Sequence, residues 1–194
     1  MGRVKQYDKE EVLRKALITF REKGYENTTM RDLSDSTGIN PFSLYAEFNN
    51  KSTLFGEVMR MYQQQNLRQL EKVLAFEKNG FEKIQMLFKN LIKQILADTQ
   101  CLGCLKVNTA TLGKAVDDNT QKILKGYDQD FIQFFKKLVE EGQNDLSITA
   151  QVSARELATL LYSIHHGIRV IQHTNQSKAT LEGIVAAALA VISK

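Results

Sequence analysis

Apolar residues recur three and four positions apart along most of the chain, the period of helices that bury one face. Between Asp8 and Lys23, Val12, Leu13, Ala16, Leu17 and Phe20 keep that spacing, and Gly24 stands where a left-handed C-terminal cap would be needed. Thr28 is placed to N-cap a second, short helix through Thr37, whose Leu33 faces inward, and Gly38 supplies a tight turn. Asn40 then reads as an N-cap and Pro41 as the first helical residue of a third segment that ends at Asn49-Asn50. From Lys51 the pattern predicts one long helix to about Lys78, which at 1.5 Å per residue would span about 40 Å and act as a connecting rod.

Asn79-Gly80 breaks this pattern, and a fifth helix follows from Phe81, with Ile84, Leu87, Phe88, Leu91, Ile92 and Ile95 on one side. A short sixth segment is expected over residues 103–112. A seventh helix starts near Asp117-Asp118, carries Ile123, Tyr127, Phe131, Phe134, Phe135 and Leu138, and is expected to end at Gly142. Residues 143–151 are the least patterned of the chain. Ser153 and Glu156 form a capping-box pair before Leu157, Leu160, Leu161, Ile164, Ile168 and Ile171, and Ser177 or Thr180 caps a last helix over residues 181–193. The fold class is therefore all-α, with about nine helices.

Composition supports that reading. Of the 194 residues 43% are hydrophobic, enough for a sizeable core, and a single proline with no tryptophan argues against a sandwich or barrel. The formal net charge is only +4, so any nucleic-acid site must be local. No uncharged run reaches the eighteen or more apolar residues of a membrane span, the first residues lack the apolar region of a secretory signal, and Cys101 and Cys104 are the only cysteines. A cytoplasmic setting is expected.

Two short helices joined through Thr37-Gly38-Ile39 and braced by a first helix form the arrangement that places a second helix in the major groove of DNA. The stretch Val12 to Met59 resembles the TetR/AcrR family of one-component repressors in the order and spacing of Ala16, Phe20, Gly24-Tyr25, Thr28-Thr29, Leu33, Gly38-Ile39, Leu44-Tyr45, Phe48, Lys51 and Leu54-Phe55. Pro41-Phe42 departs from the small or basic residues of many relatives. The resemblance implies an N-terminal helix-turn-helix DNA-binding domain over residues 1–50, and a helical effector-binding and dimerisation domain over residues 51–194. The chain would be a sequence-specific transcriptional repressor, not an enzyme, that a small molecule releases from its operator.

The residue chemistry agrees with that expectation. Thr29, Tyr45 and Lys51 suit phosphate oxygens, while Asn40, Pro41, Phe42 and Ser43 lead the third helix and can meet base edges or a thymine methyl. Arg31 is a further DNA candidate, and Arg3 and Lys5 fit a flexible arm. Plain capping by Thr28-Thr29 and plain packing of Tyr45 are the competing readings. Residues 1–55 hold nine Lys and Arg against eight acids, so placement and the pairing of two copies, not bulk charge, must supply affinity.

The last two helices, with His165-His166-Gly167, an alanine-rich run from Ala186, and Leu160, Ile164, Ile168, Leu189 and Val191, are the expected homodimer surface; in the family this pairing makes a four-helix bundle. For a small apolar or amphipathic effector the expected contacts are Phe88, Asn108, Tyr127, Phe131, Phe134, Tyr162 and His165, with Thr111 and Gln133 as further polar candidates. Aromatic stripes at this spacing also fit a simple core. Cys101 and Cys104 lack a second ligand pair, so no metal and no cofactor is expected. They are the basis of an alternative reading as a thiol redox or electrophile sensor, or a dithiol oxidoreductase; some family members respond through a cysteine at this place, and a small buried apolar role competes.

Overall fold

The structure, a computed structural model, describes residues 7–98, 102–112, 117–174 and 177–194, the side chain of His173 excepted. Among the described residues nine α-helices follow one another: α1 Lys9–Asn27, α2 Met30–Thr37, α3 Pro41–Phe48, α4 Lys51–Glu71, α5 Gly80–Ala97, α6 Leu105–Ala110, α7 Asp118–Asn144, α8 Ala154–Ile171 and α9 Lys178–Ile192. None of these helices is long and apolar enough to cross a membrane.

Side-chain caps set most helix starts, because the first amide groups of a helix have no partner within it. Asp8 accepts from the Glu10 amide, Asn40 from Ser43, and Ser177 from Thr180. Reciprocal capping boxes close the starts of α2 (Thr29 with Asp32), α5 (Asn79 with Glu82) and α8 (Ser153 with Glu156). The cap of α2 is thus Thr29, one residue later than expected, because only from Thr29 does Asp32 fall at the third position. Thr28 is buried instead, its hydroxyl donating to the Gly24 carbonyl at 2.6 Å.

Four further expectations are corrected. Gly24 is not a left-handed cap: at φ 76° and ψ 163° it breaks α1 in a region open essentially to glycine alone. Helix α4 ends at Glu71, giving about 32 Å instead of 40 Å. The chain tightens into a 3₁₀ turn at Lys72–Ala75 that packs on α5 and buries Val73, and packing overrides the helix-forming residues that follow. Helix α7 runs past Gly142 to Asn144, and α6 is shorter than expected.

The chain forms two compact units, Met1–Gln65 with Cys104–Lys125, and Asn66–Gly103 with Gly126–Lys194. In the first, Ala16, Phe20, Leu33, Leu44, Phe48, Leu54 and Phe55 make one buried cluster, where Phe20 and Phe55 meet edge to face at 4.8 Å. In the second, Ile84, Phe88, Phe135, Leu138, Leu161 and Ile192 are buried. Helices α4 and α7 each begin in the first unit and continue into the second.

Gly142 does not stop the helix: a Cβ on it would lie 2.4 Å from the Cδ1 of Ile148, and Gly80 packs against its backbone. A Cβ built on Gly80 would lie 2.3 Å from the Gly142 nitrogen and 2.5 Å from the Leu138 carbonyl oxygen. The same corner orders the unpatterned stretch after α7. Asp145 accepts from the Gly80 amide at 2.9 Å, Ser147 from the Phe81 amide at 3.2 Å, and Ile148 is buried and bridges to Ser193. Gly80→Ala must displace backbone and is expected to destabilise by roughly 3 kcal/mol, a Tm loss of roughly 6–12 °C by calorimetry. Gly126→Ala, where a Cβ meets nothing within 4 Å, is expected to be neutral or to stabilise by up to about 1 kcal/mol.

Candidate nucleic-acid interface

The α2–turn–α3 segment is held by its own polar side chains. Gly38 takes the left-handed conformation (φ 77°, ψ 12°) and its amide donates to the Ser34 carbonyl, while the Ser34 hydroxyl donates to the Ile39 carbonyl at 2.6 Å. Asn40 and Pro41 then start α3. Leu44 and Phe48 bury one face of this helix in the core of the first unit, which leaves the other outward: Phe42 is 84% exposed and Tyr45 51%. Asn40 and Pro41 are exposed beside them, and Ser43 is half-buried.

The C-terminal end of α3 is braced by Tyr7 and Lys9, which sequence reasoning did not single out. Tyr7 donates to Glu47 at 3.1 Å, and Lys9 reaches Glu57 at 2.7 Å and Glu47 at 3.5 Å, with its ammonium 5.3 Å from the Phe48 ring. The hydrogen bond to Glu57, joined by the charges of both carboxylates, outweighs burial and raises the Lys9 ammonium above its ordinary value. Asn49, at φ 65°, ends the helix, and Asn50 accepts from the Thr53 amide at the start of α4.

Of the expected phosphate contacts, Thr29 is exposed but its hydroxyl is engaged with Asp32, accepting from the amide and donating to the carboxylate. Lys23 stands 2.5 Å from the same carboxylate, and its hydrogen bond, with those from Thr29, holds Asp32 well below the usual range. Arg31 is exposed, and no carboxylate among the described residues holds it. Lys51 lies inward: its ammonium donates to the carbonyls of Tyr25 (2.9 Å) and Glu26 (3.3 Å) and sits 4.6 Å from the Tyr25 ring. A cation on the last carbonyls of α1 is electrostatically favoured. Arg3 and Lys5 lie outside the described residues.

Beneath this braced corner sits Asp117. Ser52 donates to it at 2.7 Å, Tyr25 at 3.3 Å, the Thr120 amide at 2.9 Å and the Thr120 hydroxyl at 3.1 Å. Burial disfavours the charged form of Asp117, but these hydrogen bonds prevail and lower its carboxyl below the ordinary value. Burial, then the charge of Asp117, raises the Tyr25 phenol.

The residues expected for an effector are placed differently from one another. Phe88, Tyr127, Phe131, Phe134 and Tyr162 are all buried in the second unit, with Tyr127 stacked on Phe131 at 4.6 Å. His165 is half-buried, 6.0 Å from the Phe131 ring, and Tyr162 donates to Asp128. Asn108 belongs to the first unit, and Gln133 and Thr111 are exposed. None of them lines the groove of about 600 Å³ that opens between α5 and α9. Cys104 is buried at the start of α6, its sulfur 3.5 Å from the Tyr62 hydroxyl; Cys101 lies outside the described residues. On the expected dimer helices, Leu160 and Val191 are exposed, but Ile168 and Leu189 are turned into their own protomer and buried there.

Because the folded Asp117 carboxyl sits below its unfolded value near 3.8, its contribution to stability is complete above that pH and is lost as pH falls through the folded value. Asp117→Asn is expected to cost about 1–2 kcal/mol at pH 7 and less at pH 3, below the unfolded value, where part of the wild-type contribution is gone. Urea unfolding of both proteins at the two pH values checks this; an equal cost at both would contradict it.

Residues 12–58 match the family model described as bacterial regulatory proteins, tetR family. Over 111 residues the chain is 32% identical to the HTH-type transcriptional repressor ComR of Escherichia coli K12, covering 57% of this chain and 53% of ComR. It is 28% identical over 104 residues to the repressor BdcR of the same organism, covering 54% and 53%. The chain thus spans about half the length of these relatives. Among solved structures, a cysteine mutant of the TetR family regulator CifR, complexed with 26 bp double-strand operator DNA, superposes with a TM-score of 0.85 at 27% identity over 96% of this chain and 98% of that one. The reduced form of E. coli NemR shares the fold, with a TM-score of 0.88 at 17% identity over 95% and 96%. A helix-turn-helix braced in this way and a match to the family model across it place a tetR-family regulatory segment at residues 12–58, and the likeness to CifR over nearly the whole of both chains gives this protein the fold of a TetR family regulator.

Proposed function

We propose that the chain is a sequence-specific DNA-binding transcriptional regulator, a cytoplasmic repressor that a small molecule releases from its operator. Residues 1–50 serve as the DNA-binding domain and residues 51–194 as the effector-binding and dimerisation domain. The observation that carries the reading is the outward face of α3. Asn40, Pro41, Phe42 and Tyr45 are exposed on a helix whose other face is fixed by Leu44 and Phe48. An 84% exposed phenyl ring on a short helix gains nothing from the protomer's own packing. Laid in a major groove it would meet the methyl group of a thymine, with Asn40 and Ser43 offering polar groups to base edges.

Tyr45 and Arg31 suit phosphate oxygens on either side of that face, and Thr29 does so through the exposed first turn of α2. Lys51 contributes by seating α4 against the end of α1. Since one such helix reads few base pairs, two copies are required, and α8 and α9 are the proposed pairing helices. Leu160, Gly167 and Val170 on α8, and Gly183, Ala187 and Val191 on α9, are exposed. A Cβ on Gly167 or Gly183 would meet nothing within 4 Å, so the protomer's own packing does not require a small residue there. The relatives named repressors and the operator-bound CifR complex support the DNA-binding reading.

Fluorescence anisotropy with fragments from the protein's own genomic neighbourhood, at two salt concentrations, tests the proposal. Tyr45→Ala is expected to weaken binding to all sequences alike, Arg31→Ala to lower the salt slope by about 1, and Phe42→Ala to change discrimination at one base pair by about 1–3 kcal/mol. Identical behaviour of the three variants, or no fragment bound at low salt, overturns it. In sedimentation experiments the wild type should be a dimer and Leu160→Glu with Val191→Glu a folded monomer; a dimer unaffected by both changes places the pairing surface elsewhere.

A further inference from the structure

The groove between α5 and α9 has a composition that the aromatic interior of the second unit lacks. Its apolar lining is purely aliphatic: Ile92 and Leu96 from α5, with Val185, Ala186 and Leu189 from α9. No aromatic ring is available for stacking a planar ligand. The polar lining is cationic, with Lys89, Lys93 and Lys178 against the single carboxylate of Glu182, and Gln85 completes it.

Lys178 is answered by Glu182 at 3.6 Å. Lys89 and Lys93 have no ion-pair partner among the described residues, although they stand one turn apart on the same helix, where like charges repel. Two exposed ammonium groups over an aliphatic floor therefore leave two needs unmet: a counter-charge for the lysines and cover for the hydrocarbon surface. A single molecule with a flexible chain and an anionic end meets both. From Gln85 to Leu96, and equally from Lys178 to Leu189, the lining extends about 16 Å along its helix, enough for a medium-length acyl chain. The volume, about 600 Å³, is in the usual range for small-molecule sites.

We propose that the α5–α9 groove is a binding site for amphipathic aliphatic anions, with Ile92, Leu96, Val185 and Leu189 holding the chain and Lys89 and Lys93 the carboxylate. The site is separate from the aromatic residues of α7 and α8, and the inference does not depend on the DNA-binding proposal, since it concerns binding to the free protein.

Isothermal calorimetry on the whole 194-residue chain, with decanoate below its micelle concentration and decanol as the uncharged match, tests it. Decanoate is expected to bind saturably, and decanol at least tenfold more weakly. Lys89→Gln with Lys93→Gln should weaken decanoate at least tenfold and leave decanol unchanged, while Ala186→Phe should weaken both. Undiminished decanoate binding by the double lysine variant, or equal affinity for decanol and decanoate, would sink the proposal, as would the absence of saturable binding by a wild type whose circular dichroism shows it folded. A shift in the dimer dissociation midpoint of the double lysine variant without ligand would also overturn it, assigning the groove to contact between copies of the chain.

Discussion

The geometry of the corner that carries α3 depends on one carboxylate. Asp117 takes hydrogen bonds from Tyr25 at the end of α1, from Ser52 in the first turn of α4 and from Thr120 in the first turn of α7. Negative charge at the start of a helix is favoured by the unpaired amides there, and Asp117 offers it to two helix starts at once. Lys51 completes the arrangement with the opposite sign, placing its ammonium on the carbonyls of Tyr25 and Glu26. The end of α1 is thus held to the start of α4 by a cation from one side and a carboxylate from the other. Only Asn49 and Asn50 separate α3 from α4, so fixing the start of α4 fixes where α3 ends.

Helix starts were legible in the sequence because their signals are local. Asn40 with Pro41, and Ser153 with Glu156, announce their helices within three residues, and the structure places both caps as read. Thr28 and Thr29 are adjacent and chemically identical, and only the reciprocal bond with Asp32 chooses between them. What failed was non-local. Gly142 close to an apparent helix end has the same sequence signature whether it stops the helix or makes room for a side chain, and the deciding contact, Ile148, comes from the unpatterned stretch after the helix. Residues 72–78 are respectable helix formers, but burial of Val73 against α5 prevails. Asp117 is 92 positions from Tyr25, and no spacing rule reaches that far.

The same distinction applies to the two sets of aromatic residues. On α3, the four-residue step from Leu44 to Phe48 leaves Phe42 and Tyr45 pointing away from it, so outward placement follows from helix geometry once the core face is known. On α7, Tyr127, Phe131, Phe134 and Phe135 share a wide face, and periodicity cannot distinguish a filled interior from a cavity wall. In the structure Tyr127 and Phe131 stack in parallel and Phe134 and Phe135 meet edge to face, contacts that fill space. The groove on α5 and α9 is lined instead by lysines and aliphatic residues at ordinary helical spacing. A sequence pattern of that kind signals only a solvated helix face, and the groove exists only where the two helices lie side by side.

Charge shows why counting residues understated the interface. The N-terminal segment has nearly as many acids as bases, but several acids are already occupied: Asp32 by Thr29 and Lys23, Glu47 by Tyr7 and Lys9, and Glu11 by Lys15. Such pairs contribute little field at a distance, whereas Arg31 has no carboxylate partner among the described residues. Residues 36–46, which include the outward face of α3, carry no charge at all. In the proposed complex an uncharged face can approach base edges without stripping water from an ion of its own, and the cost of desolvation stays small. Discrimination would then rest on shape, on the Phe42 ring and on the amide and hydroxyl of Asn40 and Ser43, while the attraction that brings protein and DNA together comes from groups set to either side. This division of labour, with phosphate contacts positioning and base contacts specifying, is compatible with a mildly basic protein, because it needs charge at a few places and not over the whole surface.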